Sequence, residues 1–198
     1  MARPQSPDYD KRRDAIIAAA ADLYARRGFQ GASVADLAEA CRTSKSLVYH
    51  YFPSKEDILH EVMAAHLEQL VAAADAATRA ADPDPRARLH ALALAFMRLY
   101  EGAASSHKVL LNELDNLPPE RRADVVAKQR RIIGVVQALV REIEPEAGDM
   151  SLPLTMLFFG MINWTHTWFR PGGSISAEDL AKLAVDLLLD GITGLPPG

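Results

Sequence analysis

The sequence lacks the features of a secreted or membrane protein. It contains one cysteine, Cys41, in 198 residues, so no disulfide can form within the chain. Its most apolar stretch, 152–169, includes Asn163 and His166, which favours a buried or interface helix over a membrane span. The first fourteen residues are polar and charged, unlike a secretory signal. These absences predict a cytoplasmic protein with no membrane partner.

Common catalytic and metal-binding sequence motifs are also absent. We find no glycine-rich phosphate loop, no nucleophile elbow and no internal repeat. His60 and His66 are six residues apart, whereas two metal ligands on one helical face are four apart. The sequence therefore predicts a protein that needs no cofactor or metal and is not an enzyme. An enzyme in a helical fold is the alternative.

The charge is unevenly distributed, although its sum is only −4. Residues 1–56 contain nine lysines and arginines and seven acids, a net charge of +2, whereas residues 57–198 carry −6. Between Arg42 and Lys55, both included, there are three basic residues and no acid. A small basic tip on an acidic body favours local contact with nucleic acid over indiscriminate binding. Charge also fluctuates along any chain, which is the simpler explanation.

Apolar residues recur at the helical period nearly everywhere, and the alternation typical of strands is absent. The spacing predicts an all-α fold of about nine helices. Gly28 is expected to end the first helix, and the Asp-Pro-Asp-Pro run at 82–85 to end the fourth. The predicted helices span 10–27, 34–41, 45–51, a long segment from residue 55, 85–103, 106–116, 119–144, 150–170 and 177–191.

The two short helices are predicted to form a helix-turn-helix. Helices of this length cannot bury much by themselves, so they need longer helices to brace them. The second is then left exposed to enter the DNA major groove, with Val48 and Phe52 packed inward. The first has one narrow apolar face, which places the only cysteine in the core. That face consists of Val34, Leu37, Ala38 and Cys41.

The residues around this motif resemble the DNA-binding domain of the TetR family. The resemblance includes the Tyr-His-Tyr-Phe-Pro-Ser-Lys-Glu run at 49–56. It implies a DNA-binding domain over 11–71, with the motif at about 33–52, and an effector-binding and dimerisation domain over 72–198. The matching residues are Gly28, Phe29, Gly31 to Val34, Asp36 to Ala38, Ala40, Cys41, Ser44 to Ser46 and Tyr49 to Leu59.

By this resemblance, eight side chains contact operator DNA. Their hydroxyl, ammonium and imidazole groups suit phosphates and base edges. Ser33, Ser44 and Ser54 also stand where helix N-caps are expected. The basic run 11–13 is expected to follow the DNA backbone or to be a solvated helix start, and Leu47 to contact a thymine methyl or to pack. The eight are Ser33, Thr43, Ser44, Lys45, Ser46, Tyr49, His50 and Lys55.

The predicted helices between residues 85 and 170 are expected to enclose a pocket for a small-molecule effector. Such pockets are mostly apolar with a few polar groups. Asn163 and His166 are polar exceptions on an apolar helix; alternatively, they bond across a dimer or cap a buried carbonyl. The candidate lining residues are Phe96, Met97, Tyr100, Leu110, Leu114, Phe159, Asn163, Trp164, His166 and Trp168.

The predicted helix at 150–170 is apolar around most of its circumference, so most of its sides must be buried. In a small domain, this predicts one face in the subunit core and another against a partner. The resemblance implies the same, because TetR-family dimers pair their last two long helices into a four-helix bundle. We therefore expect a homodimer that binds double-stranded operator DNA.

Two stretches, 111–122 and 158–169, resemble family members that control fatty-acid, sterol or phenylacetate breakdown and respond to acyl-CoA thioesters. A large anionic effector needs a basic mouth, unless the available arginines form only a solvated face. The resemblance implies a repressor released by such an effector; an activator or an effector-independent DNA-binding protein is the alternative. The candidate arginines are Arg121, Arg122, Arg130 and Arg131.

Overall fold

The computed structural model describes residues 7–190, with side chains from residue 9 onward. These residues form nine α-helices, three short 3₁₀ helices and no strand, which confirms the all-α fold. No described helix is long and apolar enough to cross a membrane. The α-helices are α1 (Pro7–Gly31), α2 (Val34–Ala40), α3 (Lys45–Tyr51), α4 (Lys55–Arg79), α5 (Pro85–Gly102), α6 (Ala104–Asn112), α7 (Pro119–Ile143), α8 (Ser151–Trp164) and α9 (Ala177–Asp190). The 3₁₀ helices span Leu114–Asn116, Pro145–Met150 and Thr165–Thr167.

The described chain divides into two compact units. The first contains the described residues up to His66 together with Ser105–Val126. The second contains Leu67–Ala104 and the described residues from Ala127 onward. The unit boundaries therefore fall inside α4 and α7. The predicted domains, 11–71 and 72–198, stay a prediction.

Tertiary packing holds the two short helices of the first unit. α2 packs against both α1 and α3. Leu37 of α2 and Val48 of α3 are each fully buried. Burying one such side chain contributes roughly 1.5–3 kcal/mol, whereas isolated helices shorter than about 12 residues are marginal in water. These two side chains therefore anchor α2 and α3.

Polar contacts tie residues 105–126 to the N-terminal helices within the first unit. The Ser105 hydroxyl donates to Asp22 at 2.6 Å. Arg121 donates to Asp57 at 2.6 Å, and the nearest ring nitrogen of His60 is 2.8 Å from Asp124. Hydrogen bonds from Ser54 and Arg121 lower the pKa of Asp57, which keeps this carboxylate charged beside the guanidinium.

The first helix begins earlier and extends further than the predicted 10–27. It starts at Pro7, which suits the first helical position because no N–H is needed there. Gly28 leaves the helical conformation as predicted, at φ 72° and ψ 160°, but helical structure resumes as far as Gly31. A positive φ of this kind is where glycine has no steric cost.

Cys41 was predicted to be a core residue, and this was wrong. Val34, Leu37 and Ala38 of the same apolar face are buried as expected, whereas Cys41 is only half-buried. The physical reason is its position at the C-cap of α2, where the chain leaves the core to make the turn. Partial burial still raises the pKa of its thiol.

The second unit is built around α5, α8 and α9. α9 packs against both α5 and α8. Asp84 caps α5 and Pro85 occupies its first turn, so the Asp-Pro run does mark a helix boundary. The largest fully buried apolar side chains of this unit are Leu67, Leu89, Leu92, Phe96, Met97, Phe158 and Ile162.

Two predicted helices in the C-terminal half are shorter than expected. The segment predicted at 106–116 is α6 followed by a 3₁₀ turn, and α8 ends at Trp164, not at residue 170. After α8, Thr165 donates to the Ile162 carbonyl at 2.6 Å and Thr167 to the Trp164 carbonyl at 2.8 Å. Hydroxyls bonded to nearby carbonyls compete with the α-helical pattern, which explains the tighter turn.

Candidate functional site

The turn between α2 and α3 has a defined hydrogen-bonded geometry. The Arg42 N–H donates to the Glu39 carbonyl at 2.9 Å, and the Thr43 N–H to the Ala38 carbonyl at 2.8 Å. These two bonds form a Schellman motif, which usually has glycine at its left-handed position. Here Arg42 occupies that position at φ 51°. The backbone at Arg42 is therefore strained where the chain turns into α3.

Local side-chain caps start both helices of the motif. The Ser33 hydroxyl accepts from the Asp36 N–H at 3.1 Å, and the Asp36 carboxylate accepts from the Ser33 N–H at 2.8 Å. These two bonds form a capping box, and the bonds from Ser33 lower the pKa of Asp36. Ser44 accepts from the Leu47 N–H at 3.1 Å. Both serines are N-caps and remain exposed.

α3 presents one exposed polar face. Val48 and Phe52 are buried as predicted, at 0% and 2% exposure. Tyr49 keeps half of its surface accessible, and Leu47 is half-buried. Polar groups that need no partner inside the protein can bind a partner outside it. The exposed face consists of Lys45, Ser46, Tyr49 and His50, with Ser33 and Ser44 exposed nearby and Thr43 half-buried.

Tyr9 contacts α3, which the sequence did not predict. Its ring centroid lies 4.5 Å from that of Tyr51 and 6.3 Å from that of His50, with the planes nearly perpendicular. Aromatic pairs in such arrangements are attractive by roughly 0.5–1.5 kcal/mol. Tyr9 thus supports the C-terminal end of α3 from the first turn of α1. Pro7 could have revealed this turn, since proline favours the first helical position.

Lys55 is bound within the protein. Its ammonium donates to the Phe29 carbonyl and lies 3.9 Å from the centroid of the Phe29 ring. A cation over an aromatic face is stabilising by about 0.5–2 kcal/mol. Lys55 therefore links the start of α4 to the last turn of α1, and its predicted contact with DNA stays a prediction.

Three of the candidate effector residues come together in the second unit. The Phe96 ring is 6.2 Å from the Phe159 ring and stacks on Tyr100 at 6.3 Å. All three are buried. Burial raises the pKa of the Tyr100 phenol, so it stays protonated at neutral pH.

Asn163 and His166 differ in how their polar atoms are satisfied. His166 Nδ1 lies 2.7 Å from the backbone carbonyl of Asn163, and because a carbonyl only accepts, this nitrogen is the donor. His166 thus caps a carbonyl, the alternative considered above. The side-chain Oδ1 of Asn163 is buried and has no hydrogen-bond partner among the described residues. It is the better candidate to bind a ligand donor.

Trp164 and Trp168 lie on the surface of this chain, exposed by 66% and 49%. They are not grouped with the buried Phe96 cluster. Leu110 and Leu114, also expected at the pocket, belong to the first unit. α8 has apolar side chains on two faces: one face packs inward, and the other is exposed to solvent. The exposed apolar residues in this part of the chain are Met150, Leu152, Met156, Leu157, Trp164, Trp168, Ile175 and Leu183.

Three of the four candidate arginines form ion pairs. Arg121 pairs with Asp57 at 2.6 Å, and Arg122 with Asp115 at 2.8 Å, both in the first unit. Arg131 pairs with Asp75 at 2.6 Å in the second. Arg130 is exposed. Arg121 and Arg122 thus belong to the first unit and Arg130 and Arg131 to the second, and their role toward an effector stays a prediction.

Comparison with known proteins matches both halves of the chain. Residues 16–62 match the description "Bacterial regulatory proteins, tetR family". Residues 82–192, more than half of the chain, match "Tetracyclin repressor-like, C-terminal domain". Both descriptions concern regulators, which confirms the prediction of a regulator and not an enzyme.

Individual relatives extend over nearly the whole chain. A TetR-family transcriptional regulator from Bordetella parapertussis is 38% identical, covers 94% of this chain and 98% of its own, and has a TM-score of 0.90. AibR, solved with isovaleryl coenzyme A and operator DNA, is 26% identical over 90% of this chain and 98% of its own, with a TM-score of 0.75. The transcriptional repressor KstR2 of Rhodococcus jostii is 28% identical over 91% of each chain. On these matches, and on the geometry of its helix-turn-helix, this chain belongs to the tetR family of bacterial regulatory proteins.

Proposed function

We propose that this regulator is a repressor that leaves its operator when an acyl-CoA thioester binds. The observation that carries the proposal is the exposed polar face of α3, mounted on the buried Val48 and Phe52. Two relatives support repression and the class of ligand. KstR2 is described as a repressor, and AibR was solved with an acyl-CoA and operator DNA. The site of action would be the cytoplasm, where operator DNA is accessible.

DNA contact is proposed through the eight side chains predicted above. Lys45, Ser46, Tyr49 and His50 are all exposed on α3, so the helix can enter a major groove without unfolding. Hydroxyls and an ammonium bind phosphates, and Tyr49 and His50 can also reach base edges. Ser33 and Ser44 would combine capping with phosphate contact.

Family members bind operator DNA as dimers, and we propose that α8 and α9 form this interface. Leu157 and Trp164 are more than 60% exposed, and Leu183 of α9 is also exposed. Several large apolar side chains exposed on neighbouring helices support an interaction site there. A twofold dimer would place two copies of α3 about 34–36 Å apart, one turn of DNA.

The effector is proposed to bind in the second unit near Phe96, Tyr100 and Phe159. The buried Oδ1 of Asn163 has no described hydrogen-bond partner, and such an atom costs about 1–3 kcal/mol until a donor satisfies it. An effector that reduces DNA binding must prefer the non-binding conformation, and couplings of this kind amount to roughly 1–3 kcal/mol.

Activation is the second candidate function. FasR of Mycolicibacterium smegmatis, described as a transcriptional activator, is 23% identical over 94% of this chain and 85% of its own. The same DNA-binding surface serves either outcome, because repression or activation depends on where the operator lies. In vitro transcription from the promoter beside the operator separates the two.

The test is operator binding by the purified protein at fixed salt, using DNA from upstream of its own gene. It is repeated with a panel of acyl-CoA thioesters, including isovaleryl-CoA and phenylacetyl-CoA, with the free acids as controls. We expect sequence-specific binding and release by at least one thioester at micromolar concentration. Specific binding that no thioester alters would overturn the effector assignment, and no specific binding to any DNA would overturn the operator-binding assignment.

A further inference from the structure

An open groove of about 240 Å³ lies on the second unit between the C-terminal part of α4, the start of α5 and α7. Its volume is below the roughly 300–1,000 Å³ of pockets that hold a whole drug-sized ligand. The groove therefore suits one end of a larger molecule whose remainder binds elsewhere. Its lining residues are Thr78, Arg88, Arg131, Gly134, Val135, Ala138, Leu139 and Glu142.

The α7 wall of the groove combines small residues with charged ends. Gly134 and Ala138 are one helical turn apart and stand between Arg131 and Glu142. A Cβ added at Gly134 would meet no other atom within 4 Å, so this glycine faces open space. Glycine inside a helix costs about 0.5–1 kcal/mol relative to alanine. A glycine with no packing requirement and an exposed backbone favours close approach by a ligand.

Arg88 supplies a charged group with unused hydrogen-bonding capacity. Its side chain is only 14% exposed and its guanidinium pairs with Glu142. The Nε atom is buried and has no hydrogen-bond partner among the described residues. A guanidinium carries five N–H donors in a planar fork, which matches the oxygens of a phosphate. Because Nε is buried, a phosphate in the groove would reach this guanidinium through its terminal N–H groups, in exchange with Glu142.

Arg131 supplies the second guanidinium, and it is held by Asp75. Its Nε lies 3.2 Å from one Asp75 oxygen and its Nη2 2.6 Å from the other. The Arg131 side chain is 60% exposed, and exposed ion pairs typically contribute at most about 1 kcal/mol. A phosphate carrying more negative charge can therefore compete with Asp75 for the same guanidinium.

From this groove we propose that Arg88 and Arg131 bind the phosphate-bearing end of a coenzyme A thioester. The inference rests on the effector class proposed above and adds the place where its nucleotide end docks. The pyrophosphate and 3′-phosphate of coenzyme A supply the anionic groups. The small residues Gly134 and Ala138 leave room for the less polar parts, and the acyl group lies outside the groove.

The carboxylates paired with the two arginines compete with a ligand phosphate. Asp75 and Glu142 neutralise the two arginines, so binding requires exchange of a carboxylate for a phosphate. Binding should weaken with added salt, because the exchange occurs at a partly exposed surface. Replacing Asp75 by asparagine removes a competing charge and should tighten binding.

The experiment measures binding of unacylated coenzyme A and of adenosine 3′,5′-bisphosphate to the full-length protein by calorimetry. Both probes lack an acyl group, so their binding does not depend on a site for the acyl chain, and the groove variants show where they bind. We expect Arg131→Gln, Arg88→Gln and Gly134→Leu each to weaken binding at least tenfold, and Asp75→Asn to tighten it severalfold. Arg98→Gln is the matched control, because Arg98 forms an exposed ion pair with Glu178 away from this groove.

The outcomes separate this inference from the proposed function. If neither probe binds, or if the groove variants bind them like the wild type, the groove assignment is overturned. Release of the operator by acyl-CoA would then still support the proposed function. If the probes bind through Arg88 and Arg131 but no thioester releases the operator, the nucleotide site stands and derepression by acyl-CoA fails. Circular dichroism of Gly134→Leu and Arg88→Gln confirms that both variants fold.

Discussion

α3 and α8 each expose one face, but the two faces have opposite chemistry. α3 exposes Lys45, Ser46, Tyr49 and His50. α8 exposes apolar side chains, of which Leu157 and Trp164 are the most accessible. A polar face is solvated by water without a partner, whereas exposed apolar side chains favour burial against one. The face of α3 therefore suits a partner that binds reversibly, and the face of α8 suits a permanent partner.

The two faces also differ in what supports them. α3 rests on caps and a strained turn encoded within the eleven residues 41–51, with Ser44 and Arg42 at its start. α8 has no side-chain cap at its N-terminus and depends on burial of Phe158, Phe159 and Ile162. Local sequence thus specifies α3 more directly than α8.

Making the exposed face of α8 polar should have the largest effect on dimerisation and operator binding. Leu157→Glu places a charge on a side chain that is 62% exposed in the single chain, so the subunit should still fold. We expect the dimer to dissociate and operator affinity to fall more than about 100-fold, because two linked half-sites act together. Analytical ultracentrifugation and operator titration measure both effects.

Ile175→Glu is the control for this variant, since Ile175 is 46% exposed but lies outside α8 and α9. It should remain dimeric. A dimeric Leu157→Glu protein with wild-type operator affinity would contradict the assignment of α8 to the interface.

A pH titration tests the buried histidine pair in the first unit. His66 lies 3.2 Å from His107 between ring nitrogens, and burial lowers the pKa of His66 from 6.5 to about 4. The unfolded chain binds this proton below pH 6.5 while the folded chain does not, so stability falls as the pH decreases toward 4. Between pH 6.5 and 5 the loss from this group is about 1.5 kcal/mol.

Urea unfolding at the two pH values measures the loss, and His66→Gln should show a shallower pH dependence by this amount. His90→Gln serves as the control because His90 is partly exposed beside Asp186. Equal pH slopes for the wild type and His66→Gln would show that this histidine does not set the dependence.

Removing one charge from α3 should weaken DNA binding without loss of stability. Lys45→Ala is expected to lower operator affinity roughly tenfold and to reduce the salt dependence by about one phosphate contact per subunit, or about two per dimer. Lys108→Ala removes the same charge from an exposed position on α6 and should leave affinity unchanged. If both variants bind alike at every salt concentration, Lys45 does not contact phosphate.

The cap of α3 should matter by a smaller amount. Ser44→Ala removes the oxygen that accepts from the Leu47 N–H, and loss of such a cap costs about 1 kcal/mol. Ser44→Asp keeps an acceptor at the same position and should preserve stability while weakening DNA binding by charge repulsion. Thermal unfolding of both variants distinguishes a capping role from a purely DNA-contacting one.

The smallest effect is expected at the turn. Arg42→Gly removes the cost of a left-handed arginine at φ 51°, about 1–2 kcal/mol, and adds the greater chain entropy of unfolded glycine, about 0.5–1 kcal/mol. The net result should be stabilisation by roughly 0.5 kcal/mol. Chemical unfolding measures it, and destabilisation would show that the Arg42 side chain has a structural role of its own.

Much of the motif could be predicted because its signals are local. The capping box joins Ser33 to Asp36 over three residues, and the burial of Val48 and Phe52 follows from helical spacing alone. The Tyr9 contact with Tyr51 could not be predicted in this way, since it joins residues 42 positions apart. Cys41 was misjudged because an apolar period does not show that the helix has reached its cap.

The sequence alone was sufficient for the helical fold class, the position of the DNA-binding motif and the inward side of its second helix, because each depends on residues within a few turns of one another. Packing between distant segments was needed to show that Lys55 binds Phe29, that Trp164 lies on the surface and that Arg88 meets Arg131 at one groove. Such contacts join distant parts of the chain, and helical periodicity specifies which side of a helix is apolar but not what that side meets.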